Sequence, residues 1–250
     1  MSLASITRER DQLLAALKTS VVAVGFLWGL HLVRLFLFQS PGSWGIVPRR
    51  IEGLLGIITA PLAHSGWGHL ANNSVPLLAT IFLLTYFYPR IASRAMVLMY
   101  VLTGISVWFL ARGEGWGADI TISHVGASGV AYALVSFLFF LGIFKRSMQS
   151  IVVALVILFY FSGMIAGVLP DQLNVSWESH LLGGIVGALV AWMFRSSLLD
   201  YRVPEPEEVY VDAPYFPADT FAYTKQEREV FRQQALEAER LRRNLEEGDF

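Results

Sequence analysis

The sequence predicts an all-helical membrane protein whose chain crosses the bilayer six times. Of its 250 residues, 54% are hydrophobic and only 16% are charged, and the mean hydropathy is +0.51. A soluble domain of this length needs more charge to cover its surface. Several apolar runs reach about 20 residues, the length that crosses roughly 30 Å of hydrocarbon.

Six apolar runs are the expected membrane helices, and they cover residues 19–38, 68–88, 95–112, 127–144, 150–169 and 178–196. No small-residue cleavage site follows the first run, which therefore predicts a retained helix rather than a signal peptide. The segment 39–67 is too long for a tight turn and too apolar for a solvated loop. We expect it to form short helices at the membrane surface.

Charge divides the chain into a short N-terminal segment (1–18), a membrane domain (19–196) and an acidic tail (197–250). Residues 1–200 carry 12 basic and 8 acidic side chains, whereas residues 201–250 carry 7 and 12. The tail begins with a proline-rich stretch that predicts a linker. The following "KQEREVFRQQALEAERLRRNLEE" predicts a helix, either solvated or used for docking or dimerisation. No basic patch indicates nucleic-acid binding.

The distribution of basic residues predicts that both termini are cytoplasmic. Nine basic residues flank the spans on one side and three on the other, and basic residues favour the cytoplasmic side. The larger set is Arg8, Arg10, Lys18, Arg90, Arg94, Lys145, Arg146, Arg195 and Arg202, and the smaller set is Arg49, Arg50 and Arg112.

Polar residues on three of the predicted spans fall at one depth. Asn73 lies 17 residues before Arg90, Ser128 lies 17 before Lys145, and His180 lies 15 before Arg195. At about 1.5 Å per residue, all three lie roughly 22–26 Å above the cytoplasmic interface. Ionisable groups inside a membrane usually have a function. We interpret His31 as a packing or interfacial residue, and His124 as a residue that can face water.

Small residues predict that the fourth and sixth spans pack closely. Gly126 and Gly129 with Ala133 form one small face, and Gly183 with Gly187 forms the other. Close packing would bring His180 within reach of Ser128, and a neutral imidazole can activate a serine hydroxyl.

The expected catalytic group is a dyad, because no carboxylate lies at that depth. Glu178 is two residues from His180 and is predicted to point from another face of the helix. Tyr132 lies one turn after Ser128 and is placed to stack on the imidazole. His69 and Asn73, with the backbone N–H of Ser128, are the available donors for an oxyanion.

The ordered motifs resemble those of the rhomboid family of intramembrane serine proteases. The resemblance rests on "HSGWGHLANN", on "GASG" with Tyr132, and on "SHLLGGIVG", and it covers roughly residues 20–196. The stretch "GIVPRR" resembles the start of the family's membrane-embedded loop between the first two helices. The tail after residue 200 has no counterpart in this resemblance.

The resemblance implies a role for each matching residue. Ser128 would be the nucleophile, His180 the general base, and His69 with Asn73 would assist the oxyanion, while Tyr132 would position His180. Gly126 would give the turn room, and Gly129, Gly183 and Gly187 would support close helix packing.

The resemblance also implies a six-helix rhomboid-like bundle and a location in a bacterial plasma membrane. The substrates would be transmembrane proteins, cleaved in or near their spanning segments within the lipid bilayer, without a cofactor or a metal ion. In the family, substrate is thought to reach the site beside the fifth helix, here residues 150–169.

Three other functions are compatible with parts of the pattern. The first is an inactive relative that binds membrane clients, although the serine and the histidine are both present. The second is a metal site made by His64, His69 and His180, which lacks an inward carboxylate. The third is a channel or transporter, although inverted repeats are not evident. The absence of cysteine excludes disulfides, thiolate metal sites and a cysteine nucleophile.

Overall fold

The described part of the structure is helical. A computed structural model describes residues 3–114, 121–145, 148–170, 176–199 and 224–247. Its α-helices are α1 (Leu3–Phe36), α2 (Gly56–Thr59), α3 (Trp67–Phe87), α4 (Pro89–Leu110), α5 (Ser128–Lys145), α6 (Met148–Tyr160), α7 (Trp177–Leu199) and α8 (Lys225–Glu247). The described residues form no β-strand, only two isolated bridges.

Five of these helices are long and apolar enough to cross a membrane, and a sixth span results if one bent helix pair is counted as one. The prediction of an all-helical membrane bundle is therefore confirmed, with five or six candidate spans in the described residues. Helix α1 begins at Leu3, so its helical structure includes most of the polar N-terminal segment. Helix α4 begins at Pro89, earlier than predicted, because proline fits the first turn of a helix.

The fifth predicted span is not one helix, and the prediction of a continuous helix over 150–169 was wrong. Helix α6 ends at Tyr160, and a 3-10 helix follows at Ser162–Val168, bent by 61° from it. Ser162 Oγ donates to Phe159 O at 3.0 Å, and Gly163 comes next. Neighbouring serine and glycine residues favour such a break. We call Ser162–Val168 the bent segment.

The segment between α1 and α3 contains the predicted short helices. Three are 3-10 helices, and the fourth is α2; the 3-10 helices span Pro41–Trp44, Ile51–Gly53 and Ala60–Leu62. Paired backbone bonds of 2.9 Å between Ile46 and His124 join this segment to the loop before α5. Its depth in the membrane stays a prediction.

Helix α5 lies at the centre of the bundle, where it contacts α3, α4, α6 and α7. Its buried side chains include Leu134, Phe137, Leu138 and Leu141, each at most 1% exposed. The fold therefore surrounds the predicted nucleophile helix with the helices that carry the other predicted site residues.

The chain divides into two units, Met1–Tyr201 and Arg202–Phe250. In the second unit, α8 begins with a capping box: Thr224 donates its N–H to Glu227 Oε2 at 2.8 Å, and Glu227 N–H bonds Thr224 Oγ1 at 3.3 Å. The predicted linker at residues 201–223 lies outside the described residues.

Candidate active site

Ser128 begins helix α5 immediately after a sharp turn. Gly126 in this turn has a φ of +109°, a conformation that only glycine adopts readily. Its N–H donates to Ala60 O at 2.9 Å, which fixes the turn to the segment before α3. The N–H of Ser128 belongs to the first turn of α5, whose amides have no acceptor within the helix. This amide is therefore available to a ligand.

Helices α5 and α7 pack backbone to backbone. A Cβ atom at Gly183 would collide with the carbonyl of Gly129, and one at Gly187 would collide with the carbonyl of Ala133. Ser136 Oγ also donates to Gly184 O across the interface at 2.6 Å. The small residues singled out in the sequence thus lie at a close helix crossing, as their spacing predicted.

His180 lies against Tyr132 at this crossing. Their rings are stacked, with centroids 4.2 Å apart and an angle of 10° between the planes. His180 is 8% exposed, whereas Ser128 is half-buried. In the described part of the chain, no hydrogen bond joins Ser128 Oγ to the His180 imidazole. Catalytic hydrogen bonds in structures without substrate are often long or poorly aligned.

Two backbone carbonyls of the bent segment complete the surroundings of His180, and sequence reasoning missed both. His180 Nδ1 lies 2.8 Å from Gly167 O, and Tyr132 OH donates to Met164 O at 2.5 Å. The only signal in the sequence was the pair Gly163 and Gly167, whose spacing of four can mark close approach.

Helix α3 places His69 and Asn73 beside the turn that precedes Ser128. A Cβ atom at Gly126 would lie 2.7 Å from His69 Nε2 and 3.6 Å from Asn73 Nδ2. Asn73 is 5% exposed, and its Nδ2 has no hydrogen-bond partner among the residues that the structure describes. The adjacent Asn72 is exposed. Of the two asparagines, only Asn73 therefore presents an unpaired donor at this turn.

Polar residues of the segment before α3, some of them buried, contact His69. Its Nδ1 lies 3.0 Å from Ser65 Oγ, and the ring of His64 packs edge-on against it with centroids 5.2 Å apart. Arg34 on α1, 4% exposed, donates to the backbone oxygen of His64 at 2.8 Å. Burial, and to a smaller extent the neighbouring His69 and His31, lowers the pKa of His64 to about 4. His64 is therefore uncharged at neutral pH.

The structure agrees with the prediction for His31 and contradicts the prediction for His124. His31 is 1% exposed and packs against Trp67, which agrees with a packing role. His124 does not face water: it is 4% exposed, its Nε2 lies 2.9 Å from Arg112 O, and its Nδ1 lies 2.5 Å from Ser176 Oγ. The prediction for His124 failed because the Ile46 bridge holds its backbone against the neighbouring segment.

Glu178, two residues before His180, forms an ion pair with Arg112 at 2.5 Å. The Glu178 side chain is 10% exposed and that of Arg112 is 52% exposed, so the pair lies at the edge of the packed helices. Among the described residues, no group of three or more histidine or acidic side chains is placed to hold a metal ion.

Comparison with known proteins assigns the family. Residues 52–197 match the family described as Rhomboid domain. An uncharacterized protein of Mycobacterium tuberculosis and one of Mycobacterium bovis are each 35% identical over 175 residues, covering 67% of this chain and 71% of the relative. An uncharacterized protein of Mycobacterium leprae is 28% identical over 182 residues, covering 71% of each chain. No solved structure matches the chain.

The chain belongs to the rhomboid family of integral membrane proteins. Members of this family are generally serine proteases that act on transmembrane substrates within the bilayer. Some rhomboid proteins are inactive, so the chemistry of this chain has to be argued from its own residues.

Proposed function

We propose that this protein is an intramembrane serine endopeptidase that uses a dyad of Ser128 and His180. The observation that carries the proposal is the convergence of α3 and α7 on the start of helix α5, on either side of Ser128. Helix α3 brings His69 and Asn73 to Gly126, and α7 brings His180 to α5 through the contact of Gly183 with Gly129. Buried amides with a purely structural role are normally hydrogen-bonded, whereas Asn73 Nδ2 has no partner among the described residues. An unpaired donor at this position supports a role in binding substrate.

In the proposed first step, Ser128 Oγ attacks the carbonyl carbon of the scissile peptide while its proton moves to His180 Nε2. The carbonyl oxygen becomes an oxyanion, and the donors for it are the Ser128 N–H, Asn73 Nδ2 and the Nε2–H of His69. The Ser65 hydroxyl can donate to His69 Nδ1, which keeps the His69 proton on the nitrogen that faces the turn.

The tetrahedral intermediate then collapses to an acyl-enzyme. The C–N bond breaks, and His180 gives its proton to the leaving amine. A water molecule next attacks the Ser128 ester and transfers a proton to His180 Nε2. Collapse of the second intermediate releases the carboxylic acid product and restores the Ser128 hydroxyl. Every proton passes through His180 Nε2, and no other group is required as acid or base.

The proposed substrates are transmembrane proteins cleaved in or near their spanning segments. The apolar outer surface of the helices and the burial of the site inside the bundle support this substrate class. The positive-residue distribution and the mycobacterial relatives support a bacterial plasma membrane with both termini in the cytoplasm.

The test is cleavage of a single-span substrate by purified protein, together with labelling by a serine-directed fluorophosphonate. Ser128→Ala should lose both cleavage and labelling, and His180→Ala should lose cleavage. The double variant should be no worse than either single variant, because residues that act as a unit are not additive. Ser136→Ala on the same helix is the matched control and should still be labelled. Appreciable cleavage by Ser128→Ala would refute the dyad, and an inert wild type that still binds the substrate would favour an inactive, client-binding relative.

A further inference from the structure

The bent segment ends beside the two aromatic rings of the candidate site. It follows α6 after a break at Phe161 and turns by 61°. Within it, Met164 N–H bonds Phe161 O at 2.9 Å, and Leu169 N–H bonds Ala166 O at 3.1 Å. Gly167 lies in the last turn of this 3-10 helix, where carbonyls lack donors within the helix and need other partners.

Two carbonyls of the bent segment obtain their donors from the site. Met164 O accepts the Tyr132 hydroxyl at 2.5 Å, and Gly167 O lies 2.8 Å from His180 Nδ1. A carbonyl oxygen can only accept a hydrogen bond, so the proton of the neutral imidazole must be on Nδ1. The lone pair is then on Nε2, the atom that must receive the Ser128 proton.

We propose that the carbonyl of Gly167 is a positioning group that fixes His180 in the Nδ1–H tautomer and stabilises its imidazolium form. This inference rests on the proposed function, because it assigns Nε2 as the base. In other serine hydrolases a carboxylate takes this place and holds the histidine in the correct tautomer. Here the nearest carboxylate on the same helix, Glu178, is paired with Arg112 instead.

The bond to Gly167 O is stronger in the transition state than at rest. When His180 takes the serine proton, its Nδ1–H becomes part of a cation, and hydrogen bonds from ionised donors are roughly twice as strong as neutral ones. An interaction that strengthens only as the reaction proceeds raises turnover without changing substrate binding. The Tyr132 bond to Met164 O holds the stacked ring against the same segment.

Residue 167 must be glycine for this geometry. A Cβ atom there would collide with the Tyr132 hydroxyl and lie 3.2 Å from His180 Nδ1. Gly163, in the same segment, has open space around the corresponding position. The chain therefore offers a matched pair of substitutions. Both replace a glycine of the bent segment by alanine, but only the one at residue 167 contacts the site.

The first measurement reads the tautomer directly and does not depend on turnover. Nitrogen NMR of ¹⁵N-histidine-labelled full-length protein, without substrate, should show His180 protonated on Nδ1 and not on Nε2, with the signal assigned by its loss in His180→Gln. A proton on Nε2 in an active wild-type enzyme would overturn the inference. If the NMR shows the Nδ1–H form but the wild type cleaves nothing, the proposed function fails while the assignment of the hydrogen bond stands.

The second measurement compares the two glycines in the cleavage assay. Gly167→Ala should lower kcat by about 10- to 100-fold, the range expected for weakening a hydrogen bond to a charged group, with KM changed less than about twofold. Gly163→Ala should stay within about twofold of wild type. Equal effects of the two substitutions on kcat would contradict the special role of Gly167.

A backbone substitution keeps the inference testable if Gly167→Ala does not fold. Replacing Val168 by its α-hydroxy acid turns the Gly167 carbonyl into an ester carbonyl, a weaker acceptor, and should lower kcat by about 3- to 10-fold. The same replacement at Gly163 alters the Ser162 carbonyl and is the control, because each change removes one backbone N–H of the bent segment and Gly163 lies away from the two aromatic rings. An effect at Val168 no larger than that at Gly163 would refute the proposal.

Discussion

Asn73 and Asn72 are adjacent on helix α3, and replacing each by alanine should have different consequences: a loss of turnover for Asn73→Ala and little change for Asn72→Ala. Asn73 is 5% exposed and its Nδ2 has no partner, whereas Asn72 is exposed. Successive residues of a helix are rotated by about 100°, so both side chains cannot point at the same site. The position beside Gly126 belongs to Asn73.

The expected loss of turnover in Asn73→Ala is roughly 10- to 100-fold. Loss of one oxyanion donor typically costs about 2.7–4 kcal/mol, or a factor of 10²–10³. The lower end applies here, because the Ser128 N–H and His69 remain as donors. Asn72→Ala should change turnover by less than about threefold, since its side chain does not contact the turn.

The expected change in stability has the opposite sign from that of an ordinary core substitution. A buried donor without a partner costs about 1–3 kcal/mol of folding free energy, and Asn73→Ala removes this cost. The cavity left by a small side chain offsets part of the gain. The melting temperature of Asn73→Ala should therefore equal or exceed that of the wild type, while its turnover falls.

Turnover of a single-span substrate and melting temperature, both measured in the same detergent, test this pair. A lower melting temperature in Asn73→Ala would show that the amide is paired in the folded protein. A severe, stability-neutral defect in Asn72→Ala with near-normal Asn73→Ala would exchange the two assignments.

Four further outcomes are expected. Gly126→Ala should reduce turnover by at least about tenfold, because its φ of +109° disfavours alanine and a Cβ would lie 2.5 Å from His69 Cε1; wild-type turnover would contradict the turn geometry. Gly183→Ala should destabilise the fold by about 1–3 kcal/mol, because the new Cβ atom would collide with Gly129. Gly184 has open space around it, so Gly184→Ala should leave the melting temperature unchanged. Equal shifts of melting temperature in the two variants would contradict the close crossing. The pKa of His64 is about 4 in the folded protein and about 6.5 in the unfolded chain. The contribution of His64 to the free energy of unfolding is therefore fully present above pH 6.5 and falls by about 3 kcal/mol as the pH is lowered towards 4, because the unfolded chain binds the additional proton. His64→Leu should flatten this decrease when melting temperatures are measured over a series of pH values. Cleavage should survive EDTA, and loss on chelation with recovery on adding zinc would favour the histidine metal site instead.

The sequence was sufficient to predict the parts of the fold that depend on hydropathy and on small residues. Apolar length predicted the spans, and the glycines of the fourth and sixth spans predicted the close crossing of α5 and α7, because both properties are local. Spacing along a helix also predicted that Tyr132 and His180 stack. The roles of Ser128, His180, His69 and Asn73 in catalysis stay predictions.

What the sequence did not reveal depends on backbone hydrogen bonds between distant segments. The break after Tyr160 lies inside one apolar run, and the local signal for it, Ser162 next to Gly163, also occurs inside unbroken helices. The partners of His180 and Tyr132 are carbonyls, and every residue has one, so no residue type marks them. His124 was misplaced for a related reason: its burial follows from a bridge to Ile46, far away in the chain.

In the proposed mechanism, the site carries no permanent charge, and charge develops only during the reaction. A carboxylate beside His180 would have to be desolvated at a cost of several kcal/mol before any substrate is bound. A carbonyl dipole carries no net charge, so its burial beside Nδ1 is cheap, and it still stabilises the imidazolium when the serine proton arrives. The same reasoning applies to the oxyanion, whose candidate donors are two amides and an imidazole rather than Arg34 or Arg112. The two cations are directed elsewhere, Arg34 to the backbone oxygen of His64 and Arg112 to Glu178.

Substituting Gly167 by aspartate should therefore fail to improve the proposed base and should instead abolish cleavage. The new side chain would collide with Tyr132 and bring an unpaired charge into the packed helices. Turnover and melting temperature of Gly167→Asp should both fall below those of Gly167→Ala, and a more active aspartate variant would show that the site tolerates a carboxylate after all.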